Sequence, residues 1–384
     1  MFTNKQIIKL TVAAFILITS TTAIAQMWTS LNGPQIAKNV KDISLSGDVI
    51  YIAENDYLLK STNGGTAWQA TPSTVSGSLV THCKPDNANI VMASGINFFK
   101  RSVDGGVNWT NVTNVSANLT PLRLSASPVN TSNMFLGRKY DGTTSPVWRS
   151  NYSGALWEQC YNFGPQPGTY YQTDIYDIAP YPVLDNNEPA RSSWLWVAGS
   201  TPSGQQKSPR STSAVASMSG IWWSPNSGTT WFPRTMGDYN IRSIAVIHKP
   251  SPNNPHIYAV AEGIDTVYKT IDLGNTWPES LRKKITGASS IRMIRVNNTN
   301  NYIFLATDNG VYRSTDEGAT YTQQNNGLGT DLNVLSIAVS GSNTVFAGTA
   351  NSLYKSTDNG KTWTDIRKMK VSKDFKNKTS RVKK

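Results

Sequence analysis

The sequence predicts an all-β fold assembled as one closed array of seven related units, and three observations carry that prediction. A phrase of the form "LYKSTDNGKTW" recurs seven times, with its leading Ser or Thr at Ser61, Ser102, Ser150, Ser224, Thr270, Ser314 and Ser356 and spacings of 41, 48, 74, 46, 44 and 42 residues. A period in the forties gives one supersecondary unit per repeat, and such a unit buries its faces only by stacking on neighbours. The composition, with 12 Trp, 16 Tyr, 28 Gly and 19 Pro in 384 residues, is that of many short strands packed through aromatics and joined by tight turns. Short apolar runs flank the phrase, "VIYIAEN" then "YLLKS", "YIFLAT" then "VYRST", and "TVFAGT" then "LYKST", so it stands at a hairpin turn.

The N-terminus reads as a secretory signal over residues 1–25. Lys5 and Lys9 supply the positive start, "LTVAAFILI" the apolar core, and Ala23-Ile24-Ala25 the cleavage site. The apolar run is well short of the roughly 20 residues that a spanning helix needs, and no Cys stands at the cleavage site to carry a lipid. Export to the cell surface, the periplasm or the medium is therefore expected, with the repeat array over residues 27–367 and a basic, disordered tail over 368–384.

Each copy reads S/T-x-D/N-x-G-x-x-W/Y. The turn-building residues are Ser61, Asn63, Gly65 and Trp68 in the first copy, and Ser102, Asp104, Gly106 and Trp109 in the second. The third has Ser150, Gly154 and Trp157, and the fourth Ser224, Asn226, Gly228 and Trp231. Thr270, Asp272, Gly274 and Trp277 form the fifth, Ser314, Asp316, Gly318 and Tyr321 the sixth, and Ser356, Asp358, Gly360 and Trp363 the seventh. A hydroxyl and a carboxyl or amide oxygen accept bonds from nearby backbone N–H groups, and Gly takes a backbone conformation that is costly for other residues. The aromatic then folds over the apolar sheet and anchors the turn. A catalytic or calcium-binding array does not fit, because Asn63, Asn226 and Tyr152 stand where a carboxylate would be required.

This motif resembles the Asp-box, or BNR repeat, of sialidases, sortilin-type ectodomains, xyloglucanases and photosystem II assembly factors of the Ycf48 type. The resemblance implies a β-propeller in which the motif turns the third strand of each blade into the fourth, and the array then becomes a seven-bladed β-propeller of four-stranded antiparallel blades. Inner strands are expected at 40–46, 79–85, 122–128, 175–182, 241–247, 291–297 and 334–340. The 74-residue gap holds one inner strand and one second strand, "WLWVAGS", and reads as a single enlarged blade. Two segments compete to supply the outer strand beside blade seven, "MWTSLNG" at 27–33 and "WTDIR" at 363–367.

The net charge of +12 is concentrated at the ends. The tail holds eight Lys or Arg and one Asp, which leaves the repeat body near neutral and argues against a nucleic-acid partner. Weak contact of the tail with anionic surfaces is the function open to it. Cys83 and Cys160 fall in different units, on an inner strand and after an outer strand, a poor geometry for a disulfide. His82, His248 and His256 with these cysteines form no metal-ligand spacing, so no metal and no cofactor is expected.

Strand parity puts the second-to-third turns and the blade-to-blade loops on one face and the repeated phrase on the other. Three long segments share the first face, 137–146, 159–174 and 201–218, and loops on a rigid scaffold are where binding resides. Candidate binding residues are Arg138, Lys139, Tyr161, Phe163, Tyr170, Tyr171, Lys207 and Arg210, whereas Trp194, Trp196, Trp222 and Trp223 are expected to serve the blade core. Arg123, Arg242, Arg292 and Arg295, on inner strands, are candidates for the central channel.

No catalytic residue is identifiable. The sialidase-like arginine near the start is missing, since the first Arg is Arg101. Glu54, Asp56, Asp141, Glu262, Asp265 and Asp308 lie in turns of the elaborated face, but nothing in their spacing selects the two carboxyl groups that a glycosidase sets about 5 Å or about 6.5–9.5 Å apart. The expectation is a monomeric, noncatalytic exported propeller that binds a protein or glycan partner, with a glycoside hydrolase using a carboxylate pair on the long-loop face as the alternative.

Overall fold

Near-continuous apolar runs along the second strands, as in His256–Ala261, Tyr302–Thr307 and Thr344–Thr349, let each blade bury both faces, and the structure shows the result as a ring of seven antiparallel sheets. The computed structural model describes residues 39–366 apart from 55–56, 116–119, 161–162, 164–172, 201–218, 235 and 237–238. Every sheet has four strands paired in chain order, a simple meander. The innermost strands are Asp42–Ser46, Ser78–Lys84, Pro121–Ala126, Asp174–Pro180, Ile241–Ile247, Ile291–Asn297 and Val334–Ser340. The 74-residue gap is one blade, Asp174–Pro180, Leu195–Ser200, Gly220–Ser224 and Phe232–Arg234.

The core is distributed rather than central. Among the described residues there are seven hydrophobic clusters, and each is shared by two neighbouring blades. Tyr51, Leu58 and Val75 of blade one, for example, meet Cys83, Val91 and Ala93 of blade two. Trp196 and Trp222 are fully buried in two such interfaces, while Trp194 and Trp223 lie at a margin, stacked edge-to-face at 5.5 Å beneath Arg191 and Arg234. The two cysteines are free and buried in different interfaces, Cys83 against Ser44 and Cys160 among Phe163, Trp222 and Trp231.

The repeated phrase connects the third and fourth strands. In six copies its hydroxyl accepts the N–H of the glycine four residues on, at 2.9 Å for Ser61 and Gly65, 2.8 Å for Ser102 and Gly106, and 2.8 Å for Ser356 and Gly360. Copy three keeps this bond, Gly154 N–H to Ser150 Oγ at 3.0 Å, although Tyr152 replaces the acid. The residue before each of these glycines also lies in the left-handed region, at φ 51° for Ser153 and Ser227 and 63° for Leu273.

Neighbouring blades are tied through these same turns. Lys60, Arg101, Arg149, Lys269, Arg313 and Lys355, each one residue before the leading Ser or Thr, donate to the carbonyl of that left-handed residue in the next blade. Blade four has Trp223 at this position, and Arg234, 5.0 Å over the Trp223 ring, reaches Leu273 O at 3.0 Å instead. Seven cation-to-carbonyl ties thus run around the ring.

Among the described residues the ring closes without a strand shared between its ends. Blade seven takes its outer strand, Thr364–Asp365, from the chain that precedes it, and residues 27–33 lie outside the described residues. Blades seven and one meet through a cluster of Val40, Ile43, Ala338, Phe346 and Leu353, the bond from Asn39 N–H to Ala350 O at 2.8 Å, and Lys355 Nζ on Gly64 O at 2.9 Å.

Candidate functional site at the axial mouth

Of the eight loop residues that the sequence nominates, Tyr161, Tyr170, Tyr171, Lys207 and Arg210 lie outside the described residues. Phe163 is no surface aromatic. It is fully buried, with ring centroids 5.3 Å from Trp222 and 5.1 Å from Trp231, because its ring packs into the interface of blades three and four. Arg138 is also fully buried, and its guanidinium pairs with Asp141 and donates to Thr144 Oγ1 at 3.0 Å, so it pins its own loop. Lys139 is exposed.

The four inner-strand arginines divide into two pairs. Arg123 and Arg295 reach the axis, where Arg123 Nη1 lies 3.1 Å from Asp42 Oδ1, Arg123 Nε 3.2 Å from Asp177 Oδ1, and Arg295 Nη1 2.8 Å from Asp177 Oδ2. These side chains come from blades one, three, four and six, and strands of non-adjacent blades meet only across the axis. Burial pushes the Asp177 carboxyl up, but Arg295 and Arg123 outweigh it and hold the group below the usual range. At Asp42 burial wins over Arg123, and the carboxyl is raised. The pairing sets two guanidinium groups against two carboxyl groups at the axis.

Arg242 and Arg292 turn outward instead, and the reason is local. The innermost strands of blades four to seven each carry a register shift just after their first or second residue, between Ile175 and Asp177, Ile241 and Ser243, Ile291 and Met293, and Val334 and Ser336. A bulge leaves one extra residue unpaired and re-aims its side chain. The four extra residues are Tyr176, Arg242, Arg292 and Leu335, and all four line one recess of about 300 Å³, together with Glu262, Gly263, Ser290 and Ile291.

The recess opens on the face of the second-to-third turns, at the axial mouth, where the innermost strands of blades four to seven begin. Arg242 stacks on Tyr176, its guanidinium carbon 4.0 Å from the ring centroid, and its Nη2 bonds Glu262 Oε1. Arg292 gives Nε and Nη2 to Asn333 Oδ1 at 3.1 and 2.7 Å. Burial raises the Tyr176 phenol, and burial also raises the neighbouring Asp174 carboxyl, which accepts the Tyr140 N–H at 3.0 Å and faces Lys139 and Arg242.

The turn carboxylates are individually engaged. Asp141 holds Arg138, Glu262 holds Arg242, Asp265 lies 3.3 Å from Lys284 Nζ, and Asp308 accepts the Ser289 and Ser290 N–H groups at 3.0 and 3.1 Å. Glu54 is buried, and Asp56 lies outside the described residues. Among the described residues no three His, Cys, Asp or Glu side chains gather to hold a metal ion. Sequence reasoning named Arg242, Arg292 and Glu262 but did not bring them together, and it passed over Tyr176 and Asp174. The signal available was the repeated pattern of Ile-Tyr-Asp-Ile, Ile-Arg-Ser-Ile, Ile-Arg-Met-Ile and Val-Leu-Ser-Ile, in which two apolar positions three apart break strict alternation.

No family model matches the sequence, and no curated protein matches it. Solved structures do. An ancestral GH74 enzyme superposes with TM-score 0.64 at 16% identity, over 87% of this chain and 47% of that one. The GH74 xyloglucanase of Xanthomonas campestris gives 0.63 at 14%, over 87% and 55%. YCF48 bound to D1 peptide gives 0.58 at 14%, over 85% and 95%. The chain spans about half the length of the two GH74 proteins and nearly the whole of YCF48. At these identities the likeness is one of fold, and the chain is a seven-bladed all-β propeller of the architecture that GH74 enzymes and YCF48 also use.

Proposed function

We infer that this protein is an exported, noncatalytic propeller whose repeated phrases are Asp-box turns and whose axial-mouth face holds a protein or glycan partner. The observation that carries this reading is the recess itself. Four consecutive bulges deliver an aromatic ring, two guanidinium groups and an apolar side chain to one concave site, and the groups are fixed in place by stacking and hydrogen bonds before any ligand arrives. Preorganisation of this kind lowers the entropic cost of binding. Asp141, Glu262, Asp265 and Asp308 each engage a neighbouring cation or backbone N–H group. That YCF48 was solved with a bound peptide fits a partner-binding disc.

The second reading, a glycoside hydrolase, draws on one specific observation. Asp174, beside the recess, is raised by burial toward the proton-holding state that a general acid needs, and Glu262 lines the same recess. Incubation of the purified protein with neutral, acidic and sialylated glycans, scoring retained protein and released sugar together, separates the two. Retention without release is expected. Release that disappears in both Asp174→Asn and Glu262→Gln would replace the binding reading with the hydrolase.

A further inference from the structure

The axial recess sets an uncompensated cation beside a carboxylate with free lone pairs, and that combination selects a ligand class. Arg292 is exposed, and its acceptor, Asn333, is neutral; among the described residues no carboxylate pairs with it. Its planar fork is suited to a carboxylate. Glu262 is about half exposed and bonds Arg242 through Oε1, so a ligand hydroxyl has an acceptor to donate to. Ser290 contributes to the wall between them, and Tyr176 is covered on one side by Arg242. The volume of about 300 Å³ lies at the low end of the roughly 300–1,000 Å³ of small-ligand sites, room for an end group rather than a polymer laid lengthwise.

We propose that the recess takes a hexuronic acid residue at the end of an acidic oligosaccharide, an assignment that rests on the binding reading above. The uronate carboxylate pairs with Arg292, and ring hydroxyls donate to Glu262 and exchange bonds with Ser290. A peptide carboxylate meets Arg292 equally well but brings no ring of adjacent hydroxyls to share between Glu262 and Ser290.

The test is calorimetric titration of the whole purified protein at low salt with short oligogalacturonates and oligoglucuronates, their carboxyl-reduced counterparts, and a short acidic peptide. Binding of at least one uronate series is expected, with a loss of about tenfold or more on carboxyl reduction and a similar loss in Arg292→Met, whose fold a thermal melt verifies. Lys361→Met, on an exposed turn of the opposite face, leaves binding unchanged. Equal affinity for the carboxyl-reduced sugars, an Arg292→Met protein that binds as tightly as wild type, or no uronate binding would overturn the proposal. Peptide binding in place of uronate binding overturns it while leaving the binding-module reading intact. Sugar cleavage during titration removes the noncatalytic reading and leaves the ligand class standing.

Discussion

Asp104 shows what the acid of the repeated turn contributes. The Asn108 N–H, the Ser102 hydroxyl and the Asn108 side-chain amide hold its carboxyl down at about 2, and at Asp358 the Thr362 hydroxyl and N–H overcome burial to the same effect. Each folded turn therefore binds its proton more weakly than the unfolded chain, where Asp titrates near 3.9. The stabilisation is complete above about pH 4 and is lost as pH falls toward about 2. Asn63 and Asn226 make the equivalent bond uncharged, to the Ala67 and Thr230 N–H groups at 2.8 Å. Asp104→Asn should accordingly keep the melting temperature at pH 7 while shrinking its fall between pH 4 and pH 2. A variant whose acid profile matches wild type would show that protonation of Asp104 does not drive the acid loss of stability. The glycines of these turns were legible because their left-handed conformation excludes most residues. The left-handed partner before each was not, since Ser153, Leu273, Glu317 and Asn359 carry no such mark.

The strand and the turn act at the next scale, as distributors of polar side chains. On the outer face the cation before each phrase crosses to the next blade's turn, a charge-assisted bond to a carbonyl that is partly shielded from water. Lys355, which ties blade seven to blade one, should matter more than an exposed lysine such as Lys361. Lys355→Met is expected to cost about 1–2 kcal/mol in denaturant unfolding, against a few tenths for Lys361→Met. Equal small effects would mean that the tie is decorative. The Lys or Arg at this position stood in plain view in six copies, and its role was illegible because its acceptor lies some forty or more residues away. On the inner strands the bulges decide which arginine enters the axis. Arg123 and Arg295 keep their place in the ladder, and Arg242 and Arg292 are bulged out toward the mouth.

For the whole molecule, the axial ion network cross-links non-adjacent blades, one to three through Asp42 and Arg123 and four to six through Asp177 and Arg295. Asp177 accepts from Ser243, from the Ile244 N–H at 3.0 Å and from Arg295, and it pairs with Arg123. Asp177→Asn leaves two largely buried guanidinium groups facing one carboxylate, Asp42, and should destabilise the ring by about 3–5 kcal/mol near neutral pH, read as a drop in unfolding midpoint. A loss below about 1 kcal/mol would place the network in contact with water.

Beyond the four-strand meander that the motif's resemblance implied, the sequence by itself determined the number of repeat units, the place of every inner strand and the hairpin turn that carries the repeated phrase. These are set by local patterning and by spacing, which a chain carries along its own length. The tertiary structure alone decided how the ring closes, that Phe163 and Arg138 are interior, and that Tyr176, Arg242, Arg292 and Glu262 share one recess. Each of those outcomes depends on contacts between residues far apart in the chain and on one-residue register shifts, and a shift of one residue reverses the side of a sheet on which a side chain emerges.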